Sequence, residues 1–224
     1  MGIKGQIQKI NGELPSTVKL VAVSKFNPVE AIQEAYSAGQ RIFAESRPQE
    51  LFQKVSLLPQ DIQWHFIGHL QTNKLKMVLP YVSLVHSVDS KKLLVEISKY
   101  AAKNNLNVKC LLEVFIAQEE SKQGLSEEEL FEFLDEFTAS PLPGVEICGL
   151  MGMASFVEDE HQIREEFGRL NNIFSKAREK YISTLPGFNE LSMGMSGDYK
   201  IAIEYGSTMV RIGTTIFGAR NYNK

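Results

Sequence analysis

An alternation constrains this chain more than any other feature. Eight short apolar, β-rich runs alternate with segments of helical period within 224 residues. The strand candidates are Val18–Ser24, Arg41–Phe43, Ile62–Ile67, Val82–His86, Val108–Phe115, Val145–Leu150, Glu190–Ser192 and Ser207–Ile212. Several, such as KLVAVS and KCLLEV, are nearly unbroken apolar runs, the pattern of parallel strands buried on both faces. Helices are expected over Pro28–Ala38, Arg47–Val55, Asn73–Leu79, Ser90–Lys103, Ser126–Phe137, Asp159–Ile182 and Asp198–Glu204. Pro at a first turn, Gly39 at a stop and Ser126 with Glu129 as a capping box mark their ends. Dividing 224 residues among eight units gives 28 each, enough for a strand, a helix and two short loops. Strict alternation implies right-handed crossovers, and eight of them predict an α/β fold, a closed (β/α)8 TIM-type barrel. That barrel forms one domain over 1–224, with 1–14 as a short leading helical segment; an open doubly wound sheet is the alternative.

Composition narrows the function classes. With 24 basic and 27 acidic side chains interspersed and a net charge of −3, no basic face for nucleic acid is expected. No apolar run reaches a membrane span, and the N-terminus has no apolar export signal, so a cytoplasmic protein is expected. Cys110 and Cys148 lie in apolar runs and read as reduced core residues.

In such a barrel the reactive groups gather at the C-terminal ends of the strands. After the first strand comes Lys25. A lysine there either snorkels to solvent or, partly desolvated, presents a neutral amine able to attack an aldehyde. After the seventh strand, Leu191-Ser-Met-Gly-Met-Ser-Gly-Asp198 leads into a helix. Gly194 and Gly197 allow close backbone approach, and Ser196 can cap the helix and offer a hydroxyl. After the eighth strand, Gly213 and Thr214 supply an amide and a hydroxyl. Loops in these two places are the usual phosphate site of this barrel, although glycine turns with a polar cap would read alike. A lysine amine opposite a phosphate cup fits pyridoxal 5′-phosphate (PLP) or a sugar phosphate of a Schiff-base aldolase. Arg211 shares a strand face with Gly213 and could meet a pyridine nitrogen. Being donor-only it would hold that nitrogen unprotonated, which disfavours carbanion chemistry. Its other reading is an ion pair with Glu45 or Glu50.

Four ordered motifs resemble one family: Val21-Ala-Val-Ser-Lys25, Ile67-Gly-His-Leu-Gln-Thr-Asn-Lys74, Leu191 to Asp198, and Ile203-Glu-Tyr-Gly-Ser-Thr-Met-Val-Arg-Ile-Gly-Thr-Thr-Ile-Phe-Gly-Ala-Arg220. From about residue 16 to 220 the chain is similar to the pyridoxal phosphate homeostasis proteins, also described as the proline synthase co-transcribed family. The resemblance implies a barrel like the N-terminal domain of alanine racemase, the fold-type III arrangement. It also implies PLP as an aldimine on Lys25, phosphate contacts from Ser196, Gly213 and Thr214, and Arg211 at the pyridine nitrogen. Gly194, Met195 and Ser46 complete the expected site. Phe43-Ala-Glu-Ser46 stands where the family has Phe-Gly-Glu-Asn, so Ala44 replaces a glycine and Ser46 an amide. Phe115 stands where Asn is frequent, and Lys122-Gln-Gly124 downstream still fits.

Racemisation needs an acid or base on each face of the substrate carbon. Lys25 serves one face; the other is open to water or served by His86 or Tyr199, since the chain ends soon after Thr214. The expectation is therefore a non-catalytic carrier or buffer of PLP in intracellular homeostasis, with an amino-acid racemase as the alternative. The partners expected are PLP and PLP-dependent apoenzymes, with neither nucleic acid nor membrane, and the chain is expected to be a monomer.

The remaining residues have plainer readings. His65 and His86, at strand ends, could line the mouth; His69 and His161 show no zinc spacing, and no metal site is expected. Trp64 and Phe66 pack between barrel and helices. Met153 or Met195 could touch a ring face, while Met151 and Met193 read as core. Glu127 to Glu129 is a solvated helix start. Lys91 and Lys92 are too few for a basic patch, and Lys74 and Lys76 could face a partner.

Overall fold

Eight parallel strands close on themselves in chain order. The structure, a computed structural model, describes residues 2–117 and 123–219. The strands are β1 (Lys19–Val23), β2 (Ile42–Glu45), β3 (Gln63–Phe66), β4 (Leu84–Val88), β5 (Val108–Glu113), β6 (Val145–Met151), β7 (Glu190–Ser192) and β8 (Met209–Ile212). Closure is made by β1 against β8, with Lys19 opposite Met209 and Val21 opposite Arg211. The barrel, and not the open sheet, is the answer.

Helices alternate with the strands: α1 (Ile3–Glu13), α2 (Val29–Ser37), α3 (Pro48–Val55), α4 (Leu75–Val78), α5 (Lys91–Lys103), α6 (Glu127–Ala139), α7 (Glu160–Lys180), α8 (Tyr199–Glu204) and α9 (Thr214–Phe217). Local signals account for their starts. Ser90 and Asp159 accept backbone N–H bonds from Leu93 and His161, and Ser126 and Glu129 form the full capping box. The helix expected over Asn73–Leu79 is split, with a 3-10 turn at Thr72–Lys74 leading into α4. The last helix, α9, carried no periodic apolar signal because it is a single turn.

Period-two alternation sorts the strand side chains into two cores. Val21, Val23, Ala44, Leu84, Leu111, Cys148, Met151 and Met209 cluster inside the barrel. Residues one step away, such as Ala22, Phe43, Trp64, Phe66, Val85, Leu112 and Val210, join the larger core between barrel and helices. Cys110 and Cys148 are buried free thiols. Among the described residues no helix is long and apolar enough to cross a membrane.

Strand boundaries shift the meaning of two residues. β4 begins two residues later than expected, so His86 sits in mid-strand, and His65 likewise lies within β3. Both rings are buried inside the barrel instead of lining its mouth.

Candidate functional site

Register brings the sequence motifs to one end of the barrel. Val23 pairs with Ala44 at the ends of β1 and β2, so Lys25 and Ser46 both follow within two residues at the same end of the barrel. Both are half-buried. On the other flank, β8 ends against β1: a Cβ on Gly213 would lie 3.2 Å from the Val23 carbonyl oxygen, so the loop after β8 touches the strand that delivers Lys25.

The two late loops meet at one hydroxyl. Ser196 Oγ accepts from the Gly213 amide at 3.3 Å and from the Thr215 amide at 3.4 Å. Ser196 does not cap α8, as the sequence had suggested. Asp198 holds the N-cap position, and its carboxylate accepts instead from the Met195 amide. Met195 is half-buried, its carbonyl accepting from Asp198 and Tyr199 amides. Gly194 adopts φ +93°, and a Cβ there would meet the Ala202 Cβ at 2.6 Å, so its missing side chain admits α8. Thr214 is exposed at the start of α9. The Thr215 amide escaped sequence reasoning, because a single-turn helix gives no pattern to reveal that its N-terminus points at Ser196.

Arg211 points into the barrel and is buried. Its guanidinium donates to Ser192 Oγ at 2.6 Å and to the Gly152 carbonyl at 3.0 Å. The ion pair with Glu45 or Glu50 does not form; both carboxylates take Lys54. Ser192 continues a chain of contacts: His86 Nδ1 lies 3.0 Å from its Oγ, and His86 Nε2 lies 2.9 Å from His65 Nδ1. Arginine can only donate, so Ser192 Oγ accepts from it and keeps one hydrogen and one further lone pair for the contact with His86. Between His86 Nε2 and His65 Nδ1 one ring nitrogen donates and the other accepts. Burial keeps both imidazoles neutral. Burial, with Lys19 adding repulsion, pushes His65 down to about 3, and burial with the neighbouring His65 and Arg211 holds His86 well below its ordinary value.

Neutral histidines leave the arginine charge to be balanced from the mouth. Burial lowers Arg211 to about 10, with Glu113 and Asp198 holding it up, so it is charged at neutral pH. Glu113, at the end of β5, is pushed up to about 7 by burial and by Asp89, against Arg211 and His69. Ser192, His86, His65 and Glu113 were not anticipated in this arrangement; the signal available was polar residues at inward positions of otherwise apolar strands.

A second polar cluster sits behind β1, on the helix side. Ser24 Oγ donates to Glu45 Oε1 at 2.6 Å. Lys54, on α3, donates to the Ser24 carbonyl at 2.9 Å, to Glu45 Oε1 at 2.8 Å and to Glu50 Oε1 at 2.6 Å. The Phe26 amide donates to Glu50 Oε1 at 2.6 Å. Burial dominates Glu45 and raises it to about 7, with Lys54 opposing and Glu50 adding repulsion. Glu45 Oε2 is buried without a hydrogen-bond partner among the described residues.

The other candidates are placed more simply. Met153 is exposed, Met151 and Met193 are buried, and His161 lies exposed on α7 against Glu165. His69 meets Asp89 at 3.0 Å on the surface. Phe115 is half-buried, its amide donating to the Leu125 carbonyl. Lys122 and Arg220 lie outside the described residues.

Comparison with known proteins agrees with this architecture. Residues 2–221 match the family described as alanine racemase, N-terminal domain. A pyridoxal phosphate homeostasis protein of Aquifex aeolicus is 42% identical over 212 residues, covering 94% of this chain and 91% of that protein. Another, of Vibrio alginolyticus, is 40% identical over 217 residues, covering 95% and 91%. PipY of Synechococcus elongatus, whose structure has PLP bound, superposes with a TM-score of 0.86 at 32% identity, covering 96% of this chain and all of that one. Fold, matched length and identity together place the chain in the pyridoxal phosphate homeostasis protein family, on the barrel of the alanine racemase N-terminal domain.

Proposed function

We propose that this protein binds PLP in the barrel mouth, covalently through Lys25, and acts as a non-catalytic carrier that buffers the cofactor and passes it to apoenzymes. The observation that carries the reading is the convergence of the Gly213 and Thr215 amides on one oxygen atom, Ser196 Oγ, in a loop that abuts the end of β1. Two amides aimed at one oxygen are the donor set that a phosphate oxygen requires. The bound group would bring a dianionic phosphate and an aldehyde carbon that a lysine amine captures with loss of water.

The chain's own residues divide the work. Ser196, Gly213 and Thr214 hold the phosphate, with the Thr215 amide beside them. Gly194 and Met195 set the turn that presents Ser196. Arg211 donates to the ring nitrogen, and Ser46 offers a hydroxyl beside Lys25. The Ser192–His86–His65 chain keeps the guanidinium aimed. A charged, donor-only group at that nitrogen keeps it unprotonated and the ring a poor electron sink, which suits storage better than carbanion chemistry. The names of the curated relatives point the same way.

The test is spectroscopic. Purified protein with PLP develops a band near about 420 nm that Lys25→Ala abolishes. A colourless protein that traps a sugar phosphate on borohydride treatment would replace this reading with an aldolase. Interconversion of L- and D-amino acids at about 1 s⁻¹ or faster would overturn the non-catalytic part.

A further inference from the structure

Both neighbours of Lys25 are anchored by one connected cluster of three side chains, Glu45, Glu50 and Lys54. On its N-terminal side, the Ser24 hydroxyl donates to Glu45 and the Ser24 carbonyl accepts from Lys54. On its C-terminal side, the Phe26 amide donates to Glu50. Lys54 joins the two anchors by donating to both carboxylates. An ammonium has three hydrogens, and these three bonds use all of them. Each leads to Ser24 or to a carboxylate that holds Ser24 or Phe26.

The anchored backbone is an unfavourable one. Phe26 has φ +65°, a left-handed conformation that a side chain of this kind rarely adopts and that the surroundings must impose. Its ring lies under the Arg47 guanidinium, 4.4 Å from the centroid, which adds a second hold. Burying a lysine with two carboxylates is a costly way to gain stability, since apolar side chains of similar volume commonly do as well. Placed against the one loop that carries Lys25, the cluster gains something apolar packing cannot give: a fixed direction for the two peptide units on either side of that lysine.

We infer that Lys54, with Glu45 and Glu50, is a positioning residue that fixes the backbone on both sides of Lys25 and so aims its amine at the aldehyde carbon of a ligand held in the barrel mouth. The inference rests on the reading that Lys25 captures PLP. It assigns the cluster to covalent capture, in which a C–N bond forms and water leaves, and not to recognition of phosphate or ring.

Two ligands separate those roles. PLP has the aldehyde; pyridoxine 5′-phosphate has an alcohol in its place and cannot form the adduct. In the full-length protein, Glu50→Ala is expected to slow adduct formation about 10- to 100-fold, the usual consequence of misplacing a reacting group by about 1 Å. Affinity for pyridoxine 5′-phosphate should stay within about twofold of wild type. Glu50→Gln keeps an acceptor oxygen and should retain most of the rate. Adding Phe26→Gly to Glu50→Ala should recover much of it, because glycine adopts this φ without being held there. In the ligand-free protein, exchange of the Phe26 amide with deuterium should accelerate in Glu50→Ala. Lys54→Met should show the same selective loss on a larger scale. Unchanged adduct kinetics in Glu50→Ala, or parallel weakening of both ligands, would overturn the inference. Wild-type protein that binds PLP without forming an adduct would overturn the covalent reading beneath it.

Discussion

Replacing Ser192 by alanine deletes one hydroxyl and strands two buried partners. Arg211 loses a charge-assisted bond at 2.6 Å and keeps the Gly152 carbonyl. His86 Nδ1 loses its hydrogen-bond partner at 3.0 Å in a fully buried position. A net charge-assisted bond contributes about 1.5–3 kcal/mol, and an orphaned buried donor or acceptor costs about 1–3 kcal/mol. Allowing for the easier burial of alanine, Ser192→Ala should lower stability by about 3 kcal/mol. At roughly 2–4 °C per kcal/mol for a chain of this size, Tm should fall by about 6–12 °C. Ser207→Ala is the matched control. Ser207 is also buried, but its one hydroxyl hydrogen serves backbone carbonyls alone, those of Met193 and Met209 at 2.8 and 2.9 Å and of Leu191 at 3.4 Å, so about 1 kcal/mol is expected there. Urea unfolding of the ligand-free variants, followed by circular dichroism at constant m, measures both. Equal losses in the two variants, or a loss below about 1 kcal/mol in Ser192→Ala, would refute the claim that this one hydroxyl serves both Arg211 and His86.

Other perturbations have defined outcomes. Gly194→Ala places a side chain at φ +93° and against the Ala202 Cβ, and should cost about 3 kcal/mol; adding Ala202→Gly should return the part due to overlap, read by the same unfolding assay. Glu45, raised from 4.5 to about 7, holds its proton more tightly in the folded state than in the unfolded one. Its contribution therefore favours folding below its unfolded value and is lost as pH rises toward the folded one. The stability of wild type relative to Glu45→Gln should fall by roughly 3 kcal/mol between about pH 4.5 and pH 7 and then level off; a pH-independent difference would contradict burial as the cause. Ser126→Ala removes half of the capping box on α6 and should lower stability by about 1 kcal/mol in denaturant titration, with no effect on PLP binding.

The barrel was legible because its signals are periodic and local. Continuous apolar runs, helical spacing and cap residues such as Ser126 each act over a few residues, and their repetition admits few topologies. Placing Lys25, Ser196 and Gly213 at one end needed only the strand order and the rule that loops follow strands. What stayed hidden depends on register and on side-chain direction. The displacement of β4 by two residues turns His86 from a rim residue into an interior one, and nothing local in Val-His-Ser marks that shift. The alternative reading of Arg211, an ion pair with Glu45 or Glu50, fails for a related reason. Glu45 follows inward-facing Ala44 and so faces the helices, where Lys54 on α3 takes it, while Ser192 reaches Arg211 from a neighbouring strand. Ser196 looked like a helix cap from spacing alone; only the fold showed that the amides it serves belong to the loop after β8.

The pairing of β1 with β8 has a consequence for when this protein can do anything at all. Lys25 leaves the first strand, while Ser196, Arg211 and Gly213 come from the last two, so the site proposed for PLP straddles the seam where the ring is zipped shut. A ribosome-bound chain carries the lysine long before the residues that would face it exist, and no partly assembled ring can make the site. The proposed site thereby ties ligand capture to ring closure: a ligand that bridges the seam would fasten the earliest and latest parts of the barrel together and resist opening there.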